Sequence, residues 1–199
     1  MRLAQVLRDG MLAIAVPAAL LATSSACAAD AASGERKAVV CVACHGVGGN
    51  SASPGVPSLA AQPPLYVYYQ LLQFREKRRV DAQMSPFAAN LSDRDMQDIA
   101  AYLAVQPVHA PTQPADAEKS AAGKSVADHN HCGSCHLQAY FGQNHIPRVA
   151  SQHYDYLVKQ LRGFKTGARP DIDGTMASAA QPLTDQDIES VAHYLSRLK

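Results

Sequence analysis

The 199-residue chain contains no tryptophan, only 6% aromatic residues, and a formal net charge of +1. Without an excess of either sign it has no global field suited to nucleic acid or an anionic membrane. The balance holds locally too. Setting aside an N-terminal segment with Arg2, Arg8 and Asp9 leaves 16 basic and 16 acidic side chains, seven of each through Gln106 and nine of each beyond it. Long apolar runs are also scarce. The one from Met11 to Ala22 is too short to span a bilayer comfortably. It follows two arginines and leads into Ala26-Cys27-Ala28, a small-residue cleavage pattern. Residues 1–29 therefore read as an export signal cut after Ala28 or Ala29, with the periplasm as destination. Cys27 offers an alternative as the lipidated first residue of a membrane-anchored lipoprotein. Ser24, however, stands where such sites usually carry an apolar residue.

Cysteine is sparse. There are five, and the four beyond the signal form Cys41-Val42-Ala43-Cys44-His45 and Cys132-Gly133-Ser134-Cys135-His136. No cysteine is left over for a structural disulfide. A C-x-x-C pair can belong to a zinc site or a redox disulfide. Zinc sites do not require a histidine after each second cysteine, and no βαβ context for a thioredoxin-like motif is visible. C-x-x-C-H is the attachment signature of c-type haem: each thiol adds to a haem vinyl group, and the histidine faces the iron. Two covalently attached haem c groups are expected, held through Cys41, Cys44, Cys132 and Cys135, with His45 and His136 as axial ligands.

The motifs lie within a longer repeat. At offsets of 90 to 92, Pro57, Ala60, Gln62, Tyr66, Gln70, Leu71, Phe74 and Arg79 meet Pro147, Ala150, Gln152, Tyr156, Gln160, Leu161, Phe164 and Arg169. Further on, Met84 meets Met176 and Leu91 meets Leu183. A period this long marks duplicated domains rather than a solenoid. The expected division is a first domain over 30–106, a proline-rich semi-rigid linker over 107–118, and a second domain over 119–199.

Each copy reads as helical. Ser92-Asp93-Arg94-Asp95 and Thr184-Asp185-Gln186-Asp187 are capping-box starts. Met96, Ile99, Ala100 and Leu103 then fall at helical spacing, as do Ile188, Val191, Ala192 and Leu195. Middle helices are expected over about 64–77 and 154–165, and first helices from about Gly34 and Gly123. The fold class is all-α, with two tandem domains each wrapped around one haem.

A second axial group separates carriers from catalysts. Beyond the signal only Met84, Met96 and Met176 remain, and Met96 sits in a helix stripe. Met84 and Met176 occupy matched places in loop-like stretches before a capped helix, which points to ligation rather than gap-filling. Thioether sulfur favours reduced iron, and two protein ligands leave no open position for oxygen or peroxide. His129, His131, His145 and His153 flank the second motif and are expected to be mostly solvated, with His109 and His193 as weaker candidates for ligation.

These residues give the chain its resemblance. Cys-His-Gly-x-x-Gly-Asn-Ser at 44–51, Pro57-Ser58-Leu59-Ala60-Ala61-Gln62, Met84-Ser85-Pro86, Leu91-Ser92-Asp93-Arg94-Asp95 and Ala100-Ala101-Tyr102-Leu103 resemble the class I cytochromes c. As a duplicated protein the chain is similar to the cytochrome c4 family. The resemblance implies that the carbonyls of Pro57 and Pro147 accept hydrogen bonds from the two haem-ligating histidines. The second copy departs from the pattern, because His136 is followed by Leu137-Gln138-Ala139-Tyr140 where a glycine-rich turn is expected. Arg79 and Arg169 could pair with haem propionates or complement a helix dipole. Tyr66, Tyr156, Gln62 and Gln152 could also reach propionates or simply pack.

The expected function is single-electron transfer between redox proteins, without chemistry of its own. The resemblance suggests a quinol-oxidising complex as donor and a terminal oxidase as acceptor. The alternative is the cytochrome subunit of a periplasmic dehydrogenase complex, such as a flavoprotein sulfide dehydrogenase or an alcohol- or sulfite-oxidising enzyme. A dihaem peroxidase would need an open or displaceable axial position, which the paired methionines oppose.

Overall fold

A computed structural model describes residues 28–109 and 116–199. Cys27, nearly all of the expected signal and the middle of the proline-rich linker lie outside the described residues. Among those described there is no strand, and one isolated bridge joins Gln143 to Ile146. The all-α expectation holds.

The first unit comprises α1 (Ala31–Lys37), a 3-10 turn (Ala38–Cys41), α2 (Val42–His45), α3 (Pro64–Arg75), α4 (Met84–Ala88) and α5 (Asp93–Ala104). The second comprises α6 (Ala117–His129), α7 (Cys132–His136), α8 (Tyr154–Thr166), α9 (Thr175–Ala180) and α10 (Asp185–Leu195). Four of them, α1, α5, α6 and α10, start at a residue whose side chain satisfies an orphan N–H group. Ser92 and Thr184 form reciprocal capping boxes with Asp95 and Asp187. Pro64 opens α3, where its missing N–H costs nothing.

Two details differ from expectation. Asp116 accepts from the Lys119 N–H and starts α6 at Ala117, six residues before Gly123 and inside the stretch expected as linker. Met84 and Met176 are not in loops but in the first turns of α4 and α9. Asp81 caps the first, accepting from the N–H groups of Gln83 and Met84 at 2.9 and 3.0 Å. Asp171 caps the second, accepting from Met176 and Ala177 at 2.5 and 3.2 Å.

The first and last helices of each unit cross at a glycine. A Cβ on Gly34 would stand 1.9 Å from the Asp98 carbonyl oxygen, and one on Gly123 would stand 2.0 Å from that of Ser190. Only glycine permits such an approach. Around these crossings lie two cores. Ala38, Val67, Ile99, Ala100 and Leu103 fill the first, and Ala127, Leu157, Leu183, Ile188, Val191 and Leu195 the main part of the second. Met96 is fully buried on α5, as its stripe predicts.

Candidate haem sites and the contact between them

The last turn of α2 carries His45, and that of α7 carries His136. Both rings are buried. His45 Nδ1 lies 2.8 Å from the Pro57 carbonyl oxygen, and His136 Nδ1 lies 2.9 Å from that of Pro147. With Nδ1–H donated to a carbonyl, Nε2 is the basic nitrogen, and it has no partner among the described residues. Burial lowers the pKa of both imidazoles, against the raising effect of the backbone bond, so each is held neutral as a ligand must be. Cys44 and Cys135 are exposed, while Cys41 and Cys132 are half-buried with thiol pKa values raised by burial. None is in a disulfide. Met84 and Met176 are half-buried.

The second unit reaches the same geometry without the glycines. After His45 the chain turns through Gly46 at φ 74° and Gly49 at φ 77°. After His136 the same turns fall to Leu137 at φ 66° and Tyr140 at φ 59°. The bonding is copied as well. The Gly49 carbonyl accepts from Leu59 and Ala60, and the Tyr140 carbonyl accepts from Val149 and Ala150. The buried Tyr140 ring meets Tyr194 edge-on, with centroids 5.9 Å apart. Burial, first of all, pushes its hydroxyl pKa up to about 12. The sequence departure after His136 therefore alters side chains and local strain but not the path of the chain.

The two units meet through repeated residues bonded crosswise. Gln62 bonds the backbone of Arg148, and Gln152 bonds the backbone of Ser58. His153 is not solvated but buried, with Nε2 2.8 Å from the Ser51 carbonyl oxygen across the contact. His193 is buried too, against Asp116. His109, His129, His131 and His145 are exposed.

Arg79 and Arg169 also sit at this contact rather than at a solvated helix end. Arg79 Nη2 reaches Tyr156 Oη and Gln160 Oε1 at 3.5 and 3.2 Å. Arg169 donates to Gln160 at 2.7 Å and to Gln70 at 3.4 Å. Each guanidinium covers a phenylalanine of its own unit, Phe74 at 4.6 Å and Phe164 at 4.3 Å from the ring centroid. Arg148 is buried at the same contact and donates across it to the Ala60 carbonyl at 3.0 Å. Burial alone lowers its pKa to about 10. Among the described residues no acidic side chain is bonded to any of the three, and the Nε groups of Arg148 and Arg169 are buried without a partner. A buried arginine and a half-buried one, each with an orphaned buried Nε, fit an anionic group at this contact. The carboxylates of a haem are such a group. Sequence reasoning passed over Arg148, because Ser58 occupies its place in the first copy.

Comparison with known proteins speaks to the family and the fold. The family model described as Cytochrome c matches residues 120–199, and that for cytochrome c oxidase, cbb3-type, subunit III matches 29–103. The chain is 40% identical over 181 residues to cytochrome c4 of Thiocapsa roseopersicina, covering 85% of this chain and 93% of that one. It is 33% identical over 174 residues to the thiosulfate dehydrogenase electron acceptor of Stutzerimonas stutzeri, with 81% and 80% covered. The crystal structure of reduced recombinant cytochrome c4 from Pseudomonas stutzeri superposes with a TM-score of 0.80 at 31% identity, over 86% of this chain and 100% of that one.

Proposed function

The chain belongs to the cytochrome c4 family, and on that premise we propose that it is a periplasmic dihaem carrier whose irons are held by His45 with Met84 and by His136 with Met176. It is an electron-transfer cytochrome with two covalently bound haem c groups, an electron carrier rather than an enzyme, and redox proteins are its partners. When bound, each haem supplies an iron that alternates between ferric and ferrous states.

The protein's own residues keep that exchange outer-sphere. The Pro57 and Pro147 carbonyls orient the two histidines and fix their tautomer. The caps from Asp81 and Asp171 hold the turns that present Met84 and Met176. Met84 and Met176 would supply thioether ligands, which would favour reduced iron and leave no open position for small molecules. Arg79, Arg148 and Arg169 would neutralise propionates between the units. Cys41, Cys44, Cys132 and Cys135 anchor the two groups. Domain bounds of 30–106 and 119–199 suit this reading, with α6 reaching back into the linker. Exposed apolar side chains next to the site residues, Val42, Val47 and Phe87 in the first unit and Leu137 and Phe141 in the second, suit brief docking to partners.

The observation that carries the proposal is the duplicated pair of buried histidines with Nδ1 fixed and Nε2 free. A quinol-oxidising complex as donor and a terminal oxidase as acceptor suit such a carrier. Similarity to a thiosulfate dehydrogenase electron acceptor favours a second reading, in which a sulfur-oxidising dehydrogenase is the donor. Both are tested by intact mass of the exported protein and reduction assays with each donor. Two haems on a chain beginning at Ala29 or Asp30, without lipid, support the location and attachment; a lipidated Cys27 or a single haem contradicts them.

A further inference from the structure

A peptide unit has two polar groups, and at Pro57–Ser58 they join the two domains. Its carbonyl accepts from His45 Nδ1 at 2.8 Å. Its N–H, on Ser58, donates to Gln152 Oε1 at 2.8 Å. The second domain repeats the pattern. The Pro147 carbonyl accepts from His136 Nδ1 at 2.9 Å, and the Arg148 N–H donates to Gln62 Oε1 at 3.0 Å. Each glutamine also donates back through Nε2 to the Ser58 or Arg148 carbonyl, at 2.9 and 2.8 Å, which fixes the amide plane. Ser58, Gln62, Arg148 and Gln152 are all 2 or 3% exposed, so water does not compete.

We propose that Gln62 and Gln152 are positioning residues that act across the domain contact, Gln152 on His45 and Gln62 on His136. The proposal rests on the reading of those histidines as axial ligands. Donating a hydrogen bond from the peptide N–H to a glutamine Oε1 shifts electron density through the conjugated amide onto the peptide oxygen. Hydrogen bonds in such a chain strengthen one another. The oxygen then draws harder on the Nδ1 proton and makes the imidazole a more basic ligand. A more basic ligand stabilises ferric iron and lowers the reduction potential. Each domain thus helps set the potential of the other, and separating the domains would raise both.

The test is crosswise. Q152L and Q62L are prepared as full-length holoproteins and titrated potentiometrically, and each step is assigned by the hyperfine-shifted haem methyl resonances. Q152L is expected to raise the potential of the N-terminal haem and leave the C-terminal one unchanged, and Q62L to do the reverse. The expected change is up to tenfold in the oxidised-to-reduced ratio at fixed potential, or about 59 mV for one electron. The Nδ1 proton resonance of the histidine in the opposite domain should move with it. A purely adhesive role predicts equal shifts in both haems, or none, and either overturns the proposal, as does a shift confined to the substituted domain. If a leucine variant does not keep both haems, Q152N and Q62N shorten the amide by one methylene and are held to the same pattern. Failure of the ligand assignment itself is read separately, in the unmodified protein, as absence of histidine and thioether signals from the spectra.

Discussion

Leu137 adopts the backbone conformation of Gly46: φ 66° and ψ 164° against φ 74° and ψ 169°. This region of the map is open almost only to glycine, and a leucine there costs on the order of 1–3 kcal/mol. The strain lies immediately after His136, in the turn that sets the histidine against Pro147. L137G is therefore expected to stabilise the holoprotein by about 1 kcal/mol or more, net of glycine's larger unfolded-state entropy. Denaturant unfolding checks this, and a loss of stability would show that the leucine side chain contributes more than its backbone costs.

The glycine crossings predict the opposite sign. G34A and G123A each place a methyl within about 2 Å of a carbonyl oxygen, and the first and last helices of the unit must part to admit it. Overpacking of this kind costs roughly 1–3 kcal/mol, and more where backbone rather than a side chain must yield. Unfolding of the two variants should reveal such losses; unchanged stability would mean that the helices do not meet as closely as described.

Acid sensitivity should centre on α1 and α5. Asp98 is buried and accepts from the Asp30 N–H at 2.8 Å, then from Lys37 at 2.8 Å, and these bonds, with Arg94 3.0 Å away, hold its pKa at about 2. Asp95 is lowered to about 2 as well, by Lys37 first and then Ser92. An unfolded aspartate titrates near 3.9. Both carboxylates therefore stabilise the fold above about pH 4, and the contribution fades as pH falls toward 2. D98N should be less stable at neutral pH and should show a shallower loss on acidification. An unaltered acid limb in D98N would exclude Asp98 as its source.

Removing one thioether should open one site only. M84A is expected to bind carbon monoxide at the N-terminal haem while the C-terminal haem stays closed, and M176A to show the converse. Difference spectra of the reduced variants measure this. Carbon monoxide binding at both haems of the unmodified protein would rule out both methionines.

Much of the fold was legible because its signals are local. Capping boxes at Ser92 and Thr184 and the 3.6-residue stripes behind them fixed α5 and α10, and the repeat showed that whatever one unit builds the other builds too. The helix at Met84 was missed because its cap, Asp81, is a side chain bonded to backbone three residues on, and the spacing from Asp171 to Met176 is two residues longer. The cross-domain bonds were hidden for a different reason. A repeat aligns Gln62 with Gln152 as equivalents, but each touches a residue 86 or 94 positions away that it does not align with. Leu137 was visible as a departure from a glycine-rich turn, but no sequence rule says that the backbone keeps the glycine conformation beneath a leucine. Arg148 interrupts the repeat at Ser58, and its role emerged only from burial without a counter-charge.

The two histidine–methionine irons are tested most directly by an anaerobic potentiometric titration of the purified full-length holoprotein, followed by visible absorption with and without carbon monoxide. Two one-electron steps, both at high potential and neither altered by carbon monoxide, are expected from two histidine–methionine irons. One strongly lower step, or a haem that takes up carbon monoxide, would contradict the ligand set and the carrier function drawn from it.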